Sequence, residues 1–209
     1  MKEFLLATRS AHKKREVLRI LGRHAAGLLI TLRDLEIPES DAEDDLENAD
    51  TFLGNARAKA GYFARLSGLP TIADDSGLEV DALHGRPGVH TRRFALVEGA
   101  TELSGDALDQ ANNELLLARM VAVPAGRRGA RYVCAAALAL PGGLNRCALG
   151  TCSGEIAFTP QGQGGFGYDP LFLLPDLQRT FAQLSAKQKD ERSHRAHAFN
   201  ALAARGLFR

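Results

Sequence analysis

The sequence predicts an α/β protein with a mixed β-sheet, and two observations on the order of its segments predict it. Segments typical of strands and helices alternate through the first half of the chain. The second half instead holds a run of strands joined by turns, which is typical of a β-meander. The chain has 209 residues, 45% of them hydrophobic, so it is long enough for one sizeable core. We therefore expect a single domain over residues 1–209.

The first half of the chain is predicted to contain three strands and two helices. Short apolar runs indicate the strands, and apolar residues at helical spacing indicate the helices. Ser10 should cap the first helix, whereas Gly68 and Pro70 should end the second. The acidic segment 39–50 cannot be part of the core. The predicted bounds are 2–8, 28–32 and 71–73 for the strands, about 51–67 for the second helix, and 74–77 (Asp-Asp-Ser-Gly) for a turn after the third strand.

The second half is predicted to contain three strands, two helices and two loops. The turn signal at 141–143 (Pro-Gly-Gly) separates two long apolar segments, so the second should return as an antiparallel partner of the first. The predicted bounds are 131–140, 144–158 and 171–174 for the strands, 106–121 and about 187–205 for the helices, and 85–94 and 161–170 for the loops.

Composition excludes several classes of partner. A formal net charge of +1 gives no general attraction to nucleic acid or to an anionic membrane. The apolar run Phe4 to Leu6 is too short for a signal-peptide core, and no apolar stretch reaches membrane-spanning length. Three cysteines without a C-x-x-C pair indicate neither a disulfide framework nor a thiolate zinc site. We expect a cytoplasmic protein that binds neither nucleic acid nor membrane and meets an anionic ligand through local groups.

A polar turn between the first strand and the first helix is a candidate phosphate site. Free backbone N–H groups and the helix dipole favour an anion at a helix N-terminus. Lys13 adds a charge, and Thr8 and Ser10 add hydroxyl groups. A plain helix cap followed by a solvated basic face is the alternative, since no Walker motif is present. The candidate residues are Thr8, Arg9, Ser10, Ala11, His12 and Lys13.

Two groups of acidic residues are candidates for a magnesium site. Mg²⁺ prefers oxygen ligands and needs only one or two protein carboxylates, because waters and phosphate oxygens complete its shell. Glu47 lies near the end of the acidic segment, and Asp74 and Asp75 follow a strand. Adjacent carboxylates also allow one to bind metal while another accepts a proton from water. The alternatives are a solvated acidic loop and a turn held by Asx-type hydrogen bonds.

The loop 162–167 formally matches G-x-G-x-x-G, which is also found in dinucleotide-binding folds. Its context rejects that function, because Pro170 prevents a helix from starting at the residue before it. The remaining interpretation is a loop whose Phe166 and Tyr168 stack on a base while Asp169 accepts hydrogen bonds from it. A glycine turn with a core phenylalanine is the alternative.

A cluster of donors lies near the start of the predicted terminal helix. Lys189 and Ser193 are four residues apart and should share one helix face. With His194 and Arg195, this face offers donors to a purine carbonyl or a phosphate. A solvated basic face is the alternative.

Taken in chain order, three of these motifs resemble the family of inosine/xanthosine triphosphate pyrophosphatases, also called Ham1-like. They are IADDSG (72–77), GGFGYDP (164–170) and K-x-x-x-SHR (189–195), and the resemblance covers nearly the whole chain. It implies an elongated mixed β-sheet flanked by helices, with two lobes and a nucleotide cleft between them. It also implies a cytoplasmic homodimer that uses Mg²⁺ to hydrolyse ITP, dITP and XTP to the monophosphate and pyrophosphate.

The resemblance implies a role for each matching residue. The segment 8–13 would hold the triphosphate, while Glu47 and Asp75 would bind Mg²⁺. Asp75 would also activate water, and Lys13 and Lys59 would neutralise charge on the phosphates. Ser76 would lie beside the nucleotide, and the base pocket would be formed by Phe166, Gly167, Tyr168, Asp169, Lys189, His194 and Arg195.

The chain departs from the family's motifs at three places. The motif T-G-N-x-x-K has Arg9 and Ser10 in place of its Gly and Asn, T-F-x-E-N-A loses its acid at Gly54, and S-A-R-Y reads T-R-R-F at 91–94. If the register of the acidic segment shifts, Asp44, Asp45 or Asp50 would replace Glu47 as the metal ligand.

Two rival functions stay open on the sequence. One is a pyrophosphatase that prefers a different base, such as a modified pyrimidine. The other is a nucleotide-binding protein in which the changes at Arg9, Ser10 and Gly54 have abolished catalysis.

Overall fold

The computed structural model describes residues 3–25, 28–143 and 145–206, with the side chains of residues 23–25, 44 and 145 outside that description. The strands are β1 (Phe4–Leu6), β2 (Leu29–Thr31), β3 (Thr71–Val80), β4 (Gly129–Ala139), β5 (Asn145–Ile156), β6 (Phe172–Leu174) and β7 (Arg179–Thr180). The α-helices are α1 (Ala11–Ala25), α2 (Phe52–Ser67), α3 (Phe94–Val97), α4 (Gly105–Arg119), α5 (Ala186–Arg192) and α6 (His194–Ala204).

The seven strands form one mixed sheet in the order β2-β1-β3-β4-β5-β6-β7. β1 pairs in parallel with both β2 and β3, with Leu5 opposite Ile30 and Thr71. β6 pairs antiparallel with both β5 and β7, with Leu173 opposite Glu155 and Thr180. The predicted α/β class with a mixed sheet is therefore confirmed.

The chain falls into two compact units. The first comprises Met1–Ser76, Cys134–Thr151 and Arg192–Arg209, and the second comprises Gly77–Val133 and Cys152–Glu191. Among the described residues, no helix is both long enough and apolar enough to span a lipid bilayer. The extent of the domain, residues 1–209, stays a prediction.

Each unit has its own hydrophobic core. In the first, Val17 and Leu21 of α1 pack in one cluster with Leu6 of β1 and Phe199 of α6. All four are fully buried, and burying each such side chain contributes roughly 1.5–3 kcal/mol. This core fixes α1, and with it the turn at residues 8–10, against the parallel part of the sheet.

The core of the second unit is aromatic. The ring centroids of Phe172 and Phe181 lie 4.8 Å apart, and Tyr132 lies 4.6 Å from Phe172. Tyr168, the residue after Gly167, belongs to the same cluster. The end of the glycine-rich loop is thereby anchored in the core.

The helix caps follow the sequence closely. The Thr51 side chain accepts a hydrogen bond from the N–H of Gly54 at 3.1 Å, and α2 ends at Gly68 with a φ of 71°. A glycine is favoured there because residues with a Cβ rarely adopt a left-handed conformation. The predicted helix 51–67 is therefore confirmed within one residue.

The predicted turn at 74–77 is wrong, because β3 continues without interruption from Thr71 to Val80. Asp74 and Asp75 lie within this buried strand, at 2% and 7% exposure. Turn propensity is a local preference, whereas the tertiary structure here supplies cations that pair with both carboxylates. The acids therefore lie inside a strand instead of following one.

The predicted terminal helix 187–205 is two helices, α5 and α6. Between them Ser193 adopts an extended conformation, with φ −69° and ψ 149°, and its side chain accepts a hydrogen bond from Ala196 N–H. Serine favours this N-cap position because its hydroxyl satisfies a free N–H group of the first turn. Lys189 and Ser193 therefore do not share a helix face as predicted.

The predicted loop 85–94 also contains short helical turns. A 3₁₀ helix spans Gly88–Arg93, and Phe94 begins α3. Phe94 is buried in this arrangement.

Candidate active site

The turn before α1 is built as the sequence predicts. The Ser10 hydroxyl oxygen accepts a hydrogen bond from Lys13 N–H at 3.3 Å, and the Thr8 hydroxyl oxygen accepts one from Ser10 N–H at 3.2 Å. Ala11 and His12 are exposed, and His12 contacts Arg15 at 2.9 Å. The hydroxyls of Thr8 and Ser10 thus shape the start of α1, and the free N–H groups of a helix N-terminus favour an anion.

Asp74 lies between two cations in the first unit. Its Oδ2 is 3.3 Å from Lys13 Nζ and 3.3 Å from Arg195 Nε. Its other oxygen, Oδ1, is buried and accepts no hydrogen bond from the residues that the structure describes. Burial alone raises the pKa of such a carboxyl, but Lys13, Arg195 and Lys59 outweigh it and hold the pKa of Asp74 well below its usual range.

Arg195 is buried, and its guanidinium donates to three acceptor groups. Its two NH₂ groups bond to Glu16 and, at 2.8 Å, to the Ser76 hydroxyl, while Nε faces Asp74. Burial opposes its charge, yet Asp74 and Glu16 outweigh that effect and raise the pKa of Arg195. The sequence placed Arg195 and Ser76 with the nucleotide, and the structure brings them together around Asp74. His194, the first residue of α6, directly precedes Arg195 and is also buried.

A second ion cluster joins the two predicted metal ligands. Lys59 of α2 lies with its Nζ 2.7 Å from Glu47 Oε1 and 3.4 Å from Asp75 Oδ1. Burial lowers the pKa of Lys59, but Asp75, Glu47 and Asp74 outweigh it, so the net shift is upward. Lys59 therefore stays charged and draws the two carboxylates toward one point.

Asn55 connects the same two elements. Its amide Nδ2 donates to Asp75 Oδ2 at 2.9 Å, and its Oδ1 accepts from Ala49 N–H at 2.8 Å. Asn55 is 1% exposed. It fixes the segment just after Glu47 relative to Asp75 and orients one oxygen of that carboxylate.

The donor set fits a magnesium ion. Glu47 and Asp75 already pair with one cation, the Lys59 ammonium, and Mg²⁺ usually takes one or two carboxylates from a protein. Within the described ranges, no group of three or more His, Cys, Asp or Glu residues is placed to hold a metal. Asp45 instead accepts a hydrogen bond from Asn48, and Asp50 is exposed. The alternative ligand Asp44 has its side chain outside the described residues.

The glycine-rich loop of the second unit is held by its own carboxylate. Asp169 accepts hydrogen bonds from Lys189 Nζ at 2.5 Å and from Phe166 N–H at 2.9 Å. Lys189 also lies 5.0 Å from the centroid of the Phe166 ring. A Cβ at Gly165 would fall 1.9 Å from Asp169 Oδ2, so only glycine permits this closure. The structure thus brings Phe166, Asp169 and Lys189 together, with the Phe166 ring half-buried.

The family model of the Ham1 family matches residues 4–205. The chain belongs to the Ham1 family. It is 46% identical to a dITP/XTP pyrophosphatase of Frankia alni, over 95% of this chain and 94% of the relative. A dITP/XTP pyrophosphatase of Geobacillus kaustophilus is 42% identical, over 97% of this chain and 93% of the relative.

Solved structures of Ham1 proteins share the fold. A HAM1 protein from Coxiella burnetii superposes with a TM-score of 0.82 at 33% identity, covering 98% of each chain. The dITP/XTP pyrophosphatase from Mycobacterium abscessus gives a TM-score of 0.70 at 39% identity, also covering 98% of each chain.

Tyr168, in the glycine-rich motif of this Ham1 chain, does not have the position expected of a stacking residue. It is 3% exposed, and its hydroxyl donates to the Thr91 carbonyl oxygen at 2.9 Å. Burial is the main cause that raises the pKa of this phenol, followed by Asp109. Tyr168 is a core residue that anchors the loop.

Two residues of α4 hold the glycine loop and were missed by the sequence analysis. Asp109 accepts from Gly167 N–H at 2.8 Å, and Asn113 donates to the Gly167 carbonyl oxygen at 2.9 Å. Asp109 and Asn113 are four residues apart and share one face of α4, and this spacing is the signal that the sequence offered. Together they fix the peptide groups on both sides of Gly167, the residue that follows Phe166.

Glu16 and Asn55 were also missed. Glu16 lies three residues after Lys13, on the same face of α1, and is buried. A charged residue at the edge of an apolar helix stripe was the available signal. Asn55 retains the Asn of the T-F-x-E-N-A motif, although the preceding acid is lost.

Proposed function

We propose that this chain hydrolyses non-standard purine nucleoside triphosphates, namely ITP, dITP and XTP, to the monophosphate and pyrophosphate. The observation that carries the proposal is the convergence of Glu47 and Asp75 on the partly buried Lys59 ammonium. Two relatives that are more than 40% identical over nearly the whole chain bear the name dITP/XTP pyrophosphatase.

The residues of the first unit suit hydrolysis between the α- and β-phosphates. Asp75 is the proton acceptor for the attacking water, and Asn55 orients its carboxylate. Lys13 and Lys59 supply positive charge, which stabilises the negative charge that spreads over the phosphate oxygens in the transition state. The N-terminus of α1 receives the remaining phosphate oxygens through backbone N–H groups.

Glu47 and Asp75 are the residues that would hold Mg²⁺. When bound, the ion neutralises phosphate charge and orients phosphate oxygens for displacement. We propose that Lys59 then remains beside both carboxylates and limits how far they separate.

Base selectivity is assigned to the second unit. Phe166 offers a ring face, and Lys189 beside Asp169 offers a donor suited to a 6-oxo group. An amino group at that position of the base would face a donor and be disfavoured. Arg195 is reassigned from reading the base to holding Asp74 and Ser76, because three acceptors already surround its guanidinium.

The proposal includes a homodimer in the cytoplasm and one domain spanning 1–209. Light scattering of the purified protein tests the first of these. A single molar mass of twice 22.5 kDa is expected, whereas 22.5 kDa would contradict it.

The experiment that tests the proposed function is a substrate panel with product identification. ITP, XTP, dITP, GTP and TTP are each incubated with the protein and Mg²⁺, and pyrophosphate and orthophosphate are measured separately. We expect pyrophosphate from the first three, with kcat/KM about 10- to 100-fold above GTP and TTP, the range that one pocket contact supplies. A preference for TTP would end the purine assignment.

A further inference from the structure

Arg9 replaces a glycine of the family's first motif, and its side chain faces the acidic segment. Its Nε and one NH₂ group donate to the two carboxylate oxygens of Glu43, at 3.0 and 2.6 Å. The NH₂ groups also donate to the carbonyl oxygens of Ile37 and Pro38, at 2.9 and 2.7 Å. A guanidinium held on both edges in this way is fixed in orientation, and it is not presented to a phosphate.

The segment that Arg9 holds has no anchor in the core. Among the described side chains from 37 to 50, none is buried. A segment of this kind gains little from apolar burial, so polar contacts decide where it lies. The 3₁₀ helix Asp41–Glu47 within it begins at Ser40, whose side chain accepts a hydrogen bond from Ala42 N–H at 3.3 Å.

Glu47 lies between two attachment points of the segment. Arg9 holds Glu43, four residues before it, and Asn55 holds Ala49, two residues after it. The Glu47 side chain is 41% exposed and pairs with Lys59 at 2.7 Å. The two attachments restrict where the backbone that carries Glu47 can lie.

We propose that Arg9 is a positioning residue that, through Glu43, holds the 3₁₀ helix so that Glu47 faces Lys59 and Asp75. This assignment replaces the phosphate-binding role expected for Arg9. It rests on the proposed function only in that Glu47 is taken as a metal ligand.

The test compares Arg9→Ala, Arg9→Lys and Glu43→Gln with the unmutated protein. Arg131→Ala is the matched control, because Arg131 forms an exposed pair with Glu79 at 2.6 Å and neither residue belongs to the acidic segment. Two quantities are measured without nucleotide, namely amide hydrogen exchange over 37–49 and the affinity for Mn²⁺ by calorimetry. Nucleotide KM and kcat are then measured at saturating metal.

Arg9→Ala and Glu43→Gln should each speed exchange over 37–49 and weaken Mn²⁺ binding about tenfold, as loss of a residue behind a metal ligand does. Arg9→Lys should retain only part of the exchange protection and of the Mn²⁺ affinity, because an ammonium cannot form the bidentate hydrogen bond. Arg131→Ala should leave both unchanged. At saturating metal, the nucleotide KM should stay near that of the unmutated protein.

A higher nucleotide KM with unchanged exchange and unchanged Mn²⁺ affinity would overturn the proposal and restore a phosphate role for Arg9. No change in any quantity would overturn it as well. If Arg9→Ala does not fold, Arg9→Lys and Glu43→Gln decide. Failure of the proposed function would be distinguishable, because the unmutated protein would then hydrolyse none of the nucleotides.

Discussion

Asp74 is a buried carboxyl whose charge depends on its neighbours. Its folded-state pKa lies below the usual value because Lys13, Arg195 and Lys59 outweigh the cost of burial. The unfolded chain has an Asp pKa of about 3.9. The ionised form therefore stabilises the fold above about pH 4, and this contribution is lost as pH falls further, toward the folded-state pKa.

We expect Asp74→Asn to lower the free energy of unfolding at pH 7 by about 3 kcal/mol, because it leaves buried cations without their partner. The difference in unfolding free energy from the unmutated protein should shrink as pH falls from 4 to 2.5. In that range the carboxyl of Asp74 takes up a proton in the unfolded chain, so the ionised form in the folded protein contributes less stability. Urea unfolding at several pH values measures this. The exposed Asp106→Asn is the control, and an Asp74→Asn deficit that is equal at pH 7 and pH 2.5 would contradict the account.

Motifs in the sequence indicate most of the candidate residues but few of the groups that those residues contact. Lys13, Lys59, Asp75 and Lys189 follow from motifs. Their contacts do not follow from motifs, because the bonds that orient charged groups in this fold join distant parts of the chain. Arg195 and Glu16, for example, are 179 residues apart. Sequence patterns report local spacing, and the pairing of charges across a fold leaves no such signal.

At the scale of elements, α2 and the acidic segment approach closely where the family's acid is lost. A Cβ at Gly54 would lie 2.6 Å from the Ala49 Cβ, closer than two side chains can pack. The space where the family's acidic side chain begins is filled by the segment after Glu47. A side chain at residue 54 therefore conflicts with the position that the segment has in this protein.

Gly54→Ala should destabilise the protein by about 1–3 kcal/mol, because the added methyl group forces the segment away from α2. Gly61→Ala on the same helix is the matched control, since its Cβ would meet only the end of the Arg65 side chain, at 3.4 Å. That control should stabilise the protein by roughly 0.5–1 kcal/mol through helix propensity. Thermal unfolding measures the stability of both variants. Adding Ala49→Gly to Gly54→Ala should restore the stability that the single substitution loses. Equal shifts for the two alanine substitutions would refute the close approach.

Element prediction succeeded where local signals suffice. The caps of α2 lie at Thr51 and Gly68, as their sequence chemistry predicts. It failed at 74–77, where tertiary ion pairs override the turn preference of aspartate, and at Ser193, where a cap inside a helical pattern splits one helix into two.

At the scale of the whole molecule, charge is concentrated although the net charge is only +1. The first unit holds the ion clusters around Asp74 and Lys59, and the second holds the loop around Phe166 and Lys189. Each of the two units has its own hydrophobic core. We therefore expect an anionic ligand to be bound by a few fixed cations, with no broad positive surface required.

The most direct test of the account is ITP turnover and ITP binding by Asp75→Asn, with Asp50→Asn as the control acid. We expect Asp75→Asn to bind ITP with an affinity near that of the unmutated protein while kcat falls at least about 100-fold, the usual loss of a general base. Asp50→Asn should retain full turnover. Pyrophosphate release by Asp75→Asn at the rate of the unmutated protein would contradict the central claim.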